Sequence, residues 1–104
     1  MRIEIFVITT ELKNGFPENA EKWSQLEDIK MEIIHEFGGL TESEEEKGYW
    51  SSNGSICVDS VKRWLIYAND NYSIVKIEDF AKNIKAITAQ KSQVFAINET
   101  LHFI

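Results

Sequence analysis

The chain has 104 residues, of which 43% are hydrophobic and 27% charged, a balance that suits one globular domain spanning residues 1–104 and excludes a disordered segment or two separate cores. Seventeen acidic side chains against eleven basic ones leave a formal charge of −6, so phosphate backbones are repelled and direct nucleic-acid binding is not expected. Cys57 is the single cysteine, which excludes an intramolecular disulfide and a cysteine-based zinc cluster within one chain and favours a reducing, cytoplasmic compartment.

Arg2 to Thr10 is rich in β-branched and aromatic residues and reads as a strand. Ile3, Ile5 and Val7 share one face and Glu4, Phe6 and Ile8 the other, so both faces turn apolar and the strand belongs in the interior of a sheet. Glu4 interrupts the stretch and no small-residue cleavage site follows, which argues against a signal peptide. No run in the chain approaches the roughly 18 apolar residues of a membrane span.

Asn14-Gly15-Phe16-Pro17 marks a turn with a proline suited to the first turn of a helix. From Glu18 to Phe37, Trp23, Leu26, Ile29, Ile33 and Phe37 recur at helical spacing, and Gly38-Gly39 supplies the residue type that accepts a left-handed C-cap. Thr41 to Lys47, with Glu42, Glu44, Glu45 and Glu46, has no apolar period and reads as a solvated loop. Gly48 to Ser52 and Ser55 onward flank Asn53-Gly54, the strongest short hairpin signal, and a two-residue turn sets Trp50 opposite Cys57 and Tyr49 opposite Val58. The return strand continues through Val61 to Ala68, with Asp59-Ser60 marked as a bulge and Cys57 expected to be buried within it.

Ile77, Phe80, Ala81, Ile84 and Ile87 predict a second helix from Ile77 to Lys91. Val94 to Asn98 is the last clear strand, and Leu101 to Ile104 either extends it or packs as a tail. Two helices and a hairpin in the order βαββαβ predict an α+β, ferredoxin-like sandwich, a four-stranded antiparallel sheet with both helices on one face.

Such a sheet leaves its second face bare. Phe6, Ile8, Trp64, Ile66, Phe95 and Ile97 are its expected apolar residues, and a patch of that kind predicts a homodimer formed through the sheet face or a shared edge. The candidate ligand-pocket residues are His35, Tyr49, Trp50, Asp59 and Arg63, which combine aromatic and charged groups on neighbouring elements. Two histidines without a cysteine pair or a helical His-x-x-x-His spacing make no metal site, and no phosphate-cradling glycine loop points to a cofactor.

Phe37-Gly38-Gly39-Leu40-Thr41, Gly48-Tyr49-Trp50, Asn53-Gly54, Val61 and Gln93-Val94-Phe95 together resemble a loose family of small uncharacterised bacterial, archaeal and phage proteins. That resemblance implies a ferredoxin-like fold and no particular activity, and the acidic insert Glu42 to Lys47 and the extra tail depart from it. The expected function is a cytosolic binding or protein-interaction module. Two alternatives are a small enzyme of the dimeric α/β-barrel type with a pocket over the sheet, and an acidic inhibitor that occupies a nucleic-acid site on a basic protein.

Overall fold

A computed structural model describes residues 1–15 and 17–104, so Phe16 of the expected Asn14–Pro17 turn lies outside the described residues. The strands are β1 (Arg2–Ile8), β2 (Thr41–Glu42), β3 (Glu46–Ser52), β4 (Ser55–Tyr67), β5 (Val94–Ile97) and β6 (Thr100–Phe103). The helices are α1 (Thr10–Asn14), α2 (Ala20–Phe37) and α3 (Ile74–Ile87). All the pairings are antiparallel, in the order β2-β4-β1-β5-β6, with β3 lying beyond β2 on the same edge of β4. The described residues therefore build one six-stranded sheet where four strands were expected.

The two additional strands have local causes. Thr41 pairs with Leu65 and Glu42 with Trp64, because a polar segment forms an edge strand when its backbone finds a partner and its side chains stay wet. At the other edge, Asn98 and Glu99 adopt φ of 48° and 70°, a left-handed pair that turns the chain back so that β6 runs along β5. Asn98 is anchored there by two hydrogen bonds of 2.8 Å, its backbone N–H donating to the Arg2 carbonyl and its side-chain Oδ1 accepting from the Arg2 N–H.

Periodicity explains the two longer helices. In α2 the buried Leu26, Ile29 and Ile33 face inward, and Gly38 ends the helix at φ 90° with its N–H donating to the Ile34 carbonyl at 2.8 Å. In α3 the buried Ile77, Phe80, Ala81 and Ile84 hold the same relation, one turn earlier in the chain than the expected span because Ser73 in extended conformation precedes Ile74. Phe37 links the helix ends, its ring 4.4 Å from Tyr72 and 6.2 Å from Phe80.

Which sheet face lies under these helices follows from register. Ile3 pairs with Ile66 and Ile97, and Ile5 with Trp64 and Phe95, and directly paired residues share a face. All of them belong to one buried cluster with the inward residues of α2 and α3. Trp64, Ile66, Phe95 and Ile97 are thus core residues and not an exposed interface, which corrects four of the six expected interface positions. The expected bulge at Asp59-Ser60 is also absent, since Gly48 pairs with Asp59 and Lys47 with Ser60 in unbroken register. With no extra residue to shift the alternation, even-numbered positions of β4 stay on the helix side from end to end.

Trp64 is 1% exposed, and burial of a side chain this large contributes roughly 2–3 kcal/mol from removed apolar area. Its indole Nε1 donates to Glu42 Oε2 at 2.7 Å, while Lys30 and Lys62 approach the same carboxylate at 3.1 and 3.6 Å. Partial burial penalises the charged carboxylate, but the hydrogen bonds from Lys30 and Trp64 and the two ammonium charges outweigh it and hold Glu42 below the ordinary carboxylate range. A depressed carboxyl stabilises the fold fully above the unfolded value of about 4.3 and loses that contribution as acidification carries it through its lower folded value. Glu42→Gln is therefore expected to lower the midpoint of urea unfolding at pH 7 and to have a progressively smaller effect below about pH 4. Equal destabilisation at pH 7 and pH 3 would contradict this.

Candidate ligand groove on the open sheet face

Odd-numbered residues of β4 and even-numbered residues of β1 form the face away from α2 and α3: Phe6 and Ile8 lie there beside Val61, Arg63 and Leu65, with Ile8 and Val61 buried. β1 ends opposite Val61, so the stretch from Ser55 to Ser60 is paired by β3 alone and extends past the body as a two-stranded ribbon. Tyr49, Ile56 and Val58 are exposed on one side of this ribbon. Its other side carries Trp50, Cys57 and Asp59 and is continuous with the open face.

A groove of about 500 Å³ occupies the junction of ribbon and body. Trp50, Ser52, Cys57 and Asp59 of the ribbon form one wall, Ile8 of β1 and Glu11 of α1 lie beside them, and Val94 and Phe103 of the edge hairpin stand opposite. The turn after α3 adds Ala89, Gln90, Lys91 and Ser92. A volume of this order accommodates a nucleoside-sized ligand, and the lining joins apolar surface to a few polar groups, as small-molecule sites do.

Individual side chains are held in place by identifiable contacts. A Cβ built on Gly48 would come within 2.9 Å of Val61 and 3.1 Å of the Trp50 ring, so the missing side chain is what lets the indole lie along the ribbon. Asp59 Oδ1 accepts from the Thr10 hydroxyl at 2.8 Å, and that hydroxyl accepts from the Ser60 N–H at 2.9 Å. The Thr9 N–H donates to the Ser60 carbonyl at 2.8 Å, which ties the start of α1 to the ribbon at its root. At the far side, Gln93 Nε2 donates to the Phe6 carbonyl at 2.6 Å where the β1–β5 ladder has ended.

Of the expected pocket residues, Trp50 and Asp59 meet in the groove. Arg63 lies on the same face in a second, smaller pocket of about 120 Å³ with Arg2, Glu4, Thr41, Ser43 and Leu65. Its guanidinium is held charged first by Glu46, with Nη2 to Oε1 at 2.7 Å, and then by Glu4, with Nη1 to Oε1 at 3.2 Å. Tyr49 points from the opposite side of the ribbon, and His35 is exposed on α2 in the helix layer, so the structure does not bring either to the groove. Of the two remaining expected interface residues, Ile8 is also buried, at 6% exposure, and touches only the base of the groove, while Phe6 lies half-buried on the same face.

Glu11, Gln90, Lys91, Ser92 and Phe103 enter the site from segments whose sequence carries no site motif. Cys57 is exposed, not buried, because the part of β4 that carries it lies beyond β1. Among the described residues no cluster of three or more His, Cys, Asp or Glu side chains is arranged to hold a metal ion, and no helix is long and apolar enough to cross a membrane.

No family model and no curated protein matches the sequence. Solved structures match the fold. A phage SAM lyase in complex with S-methyl-5′-thioadenosine aligns over 99% of this chain and 87% of its own, with a TM-score of 0.66 and 13% identity. A phage SAM lyase in the apo state aligns over 99% and 86%, with a TM-score of 0.58 and 12% identity. At such identities the likeness is one of fold.

Exposure of Cys57 in the groove makes the thiol a reporter. Iodoacetamide is expected to modify Cys57 stoichiometrically in the native protein without denaturant, and a ligand seated in the groove is expected to slow the reaction. Modification that requires urea, read as a mass shift, would refute the groove geometry.

Proposed function

We propose that this chain is a small-molecule-binding module whose groove takes an adenosyl thioether or sulfonium, and that it cleaves S-adenosylmethionine. The observation that carries the reading is a nucleoside-sized groove that sets an indole and two carboxylates, Asp59 and Glu11, against a single ammonium, Lys91, among apolar side chains, in a fold like that of a phage SAM lyase. An adenine ring has a π-face for Trp50, and a sulfonium cation is attracted by both the indole face and the carboxylates.

The chemistry asks little of the protein. The methionine-derived carboxylate attacks the carbon γ to it, a C–O bond forms as the C–S bond breaks, and the electron pair passes to sulfur. The products are neutral S-methyl-5′-thioadenosine and a five-membered amino lactone, with no added nucleophile or water. Folding the substrate into attack geometry supplies proximity. Because positive charge on sulfur disappears in the transition state, apolar walls such as Ile8, Val94 and Phe103 favour the reaction, whereas a carboxylate close to sulfur favours the charged ground state. Asp59 and Glu11 are accordingly assigned to capture.

The test is incubation of the purified chain with S-adenosylmethionine and chromatographic detection of S-methyl-5′-thioadenosine. Wild type is expected to form it above the uncatalysed background. Asp59→Asn is expected to raise KM about tenfold, the loss of one charge-assisted contact, with a much smaller change in kcat. No product and no protection of Cys57 by S-methyl-5′-thioadenosine would sink the reading.

The order β5-β1-β4-β2/β3 with α2 and α3 on one side supports a ferredoxin-like core to which β6 is appended, and the single free thiol suits a cytoplasmic setting. Self-association belongs to the same reading, through the shared edge and not through the sheet face. Among the described residues β6 has no strand on its outer side, and its Leu101 and Phe103 are 54% and 65% exposed, so two copies sharing this edge would form a continuous sheet. Light scattering is expected to give twice the chain mass for wild type and the chain mass for Leu101→Lys. A wild-type monomer at high micromolar concentration would remove the dimer.

A further inference from the structure

The smaller pocket on the open face has a charge pattern that the groove lacks. Glu4 forms its floor, with a side chain only 12% exposed, between the guanidinium groups of Arg2 at 3.5 Å and Arg63 at 3.2 Å. Arg63 spends Nε and Nη2 on Glu46 and Nη1 on Glu4, which leaves part of its five-donor fork uncommitted among the described residues. Arg2 meets Glu4 as an ion pair beyond ordinary hydrogen-bond length and keeps donors for another acceptor. Two cations flanking a recessed carboxylate, beside the Thr41 and Ser43 hydroxyls, match in opposite sign an α-ammonium next to an α-carboxylate.

Position reinforces the chemistry. Glu4 and Ile8 lie four residues apart on the same face of β1, as do Arg63 and Asp59 on β4, so the pocket and the groove are about 13 Å apart along the strands. The half-buried Phe6 lies between them on β1, with Val61 buried beside it on β4. An extended adenosyl amino acid, with its base in the groove, reaches that distance with its amino-acid end.

We infer that the pocket formed by Arg2, Glu4 and Arg63 is a subsite for a zwitterionic α-amino-acid group, the end of the ligand that a cleaved thioether no longer carries. The inference rests on the adenosyl reading of the groove for its connection to the nucleoside. It explains how substrate is retained and S-methyl-5′-thioadenosine released, since the product forfeits every contact in this pocket.

The experiment is calorimetric titration of the full chain with S-adenosylhomocysteine, S-methyl-5′-thioadenosine and methionine, for wild type, Arg63→Gln and Arg2→Gln, with folding of each variant checked by circular dichroism. S-adenosylhomocysteine carries the amino-acid end without the sulfonium, so the groove carboxylates do not bias the comparison. Wild type is expected to bind it at least about tenfold more tightly than S-methyl-5′-thioadenosine, the scale of one or two charge-assisted hydrogen bonds. Either substitution is expected to abolish that preference and leave S-methyl-5′-thioadenosine affinity unchanged. Equal wild-type affinities, a preference that survives both substitutions, or a parallel loss for both adenosyl ligands would overturn the subsite. Should neither adenosyl ligand bind, the groove reading fails on its own and methionine decides: binding weakened by Arg63→Gln upholds the subsite, and absence of methionine binding overturns it.

Discussion

Strict two-residue alternation along β4, unbroken from Ser55 to Tyr67, is the constraint on which the rest of the molecule depends. It sends Trp64 and Ile66 beneath the helices and Asp59, Val61 and Arg63 to the other side. A slip of one residue would expose the indole and drive a guanidinium into the core, a cost of several kcal/mol that no alternative pairing recovers. The bond from Trp64 to Glu42 adds a second lock, because it fixes β2 against β4 at a single register. The open face is therefore positioned by the same strand that anchors the core.

Much of this was legible in the amino-acid sequence, and where it was not the reason is physical. The spacing of Leu26, Ile29 and Ile33 before Gly38 defines α2 because a long amphipathic helix repeats its signal over several turns. Asn53-Gly54 defines the hairpin and its register, with Trp50 opposite Cys57 and Tyr49 opposite Val58, because few residues accept positive φ at both turn positions. Glu99 accepts it as well, at φ 70°, but its identity does not announce a turn, so β6 had no comparable signature. The short edge strand β2 was hidden by its polarity, since Glu42 turns its carboxylate to a buried indole and two lysines, a pattern that composition reads as solvated loop.

The assignment of sheet faces shows the limit most clearly. Phe95 and Ile97 are as apolar as Phe6 and Ile8, and alternation alone does not say which pair faces the helices. Only pairing decides: Ile5 meets both Trp64 and Phe95, and a strand flanked on both sides by large apolar partners marks the covered face. The site has the same dependence on long-range contacts. Trp50 and Asp59 were recognisable as an aromatic and a charge on neighbouring strands, whereas Glu11, Lys91 and Phe103 reach the groove from three other segments that only the folded topology brings together.

Charge distribution ties the acidic composition to the proposed ligand. A net charge of −6 raises the local concentration of cations near the surface, and the groove keeps that sign, with Asp59 and Glu11 against Lys91, while its apolar walls remain poor solvents for any ion. A permanently charged sulfonium suits such a setting, because it needs no proton, cannot be neutralised by a shift in pKa, and loses its charge only through bond cleavage. The neighbouring Arg2–Glu4–Arg63 cluster is close to neutral as a group once Glu46 is included, so the proposed subsite would discriminate by arrangement of charge instead of by sum. On the proposed reading, attraction by field in the groove and selection by pattern in the pocket are separated along one sheet face, and the loss of charge from sulfur is favoured at the apolar groove walls Ile8, Val94 and Phe103.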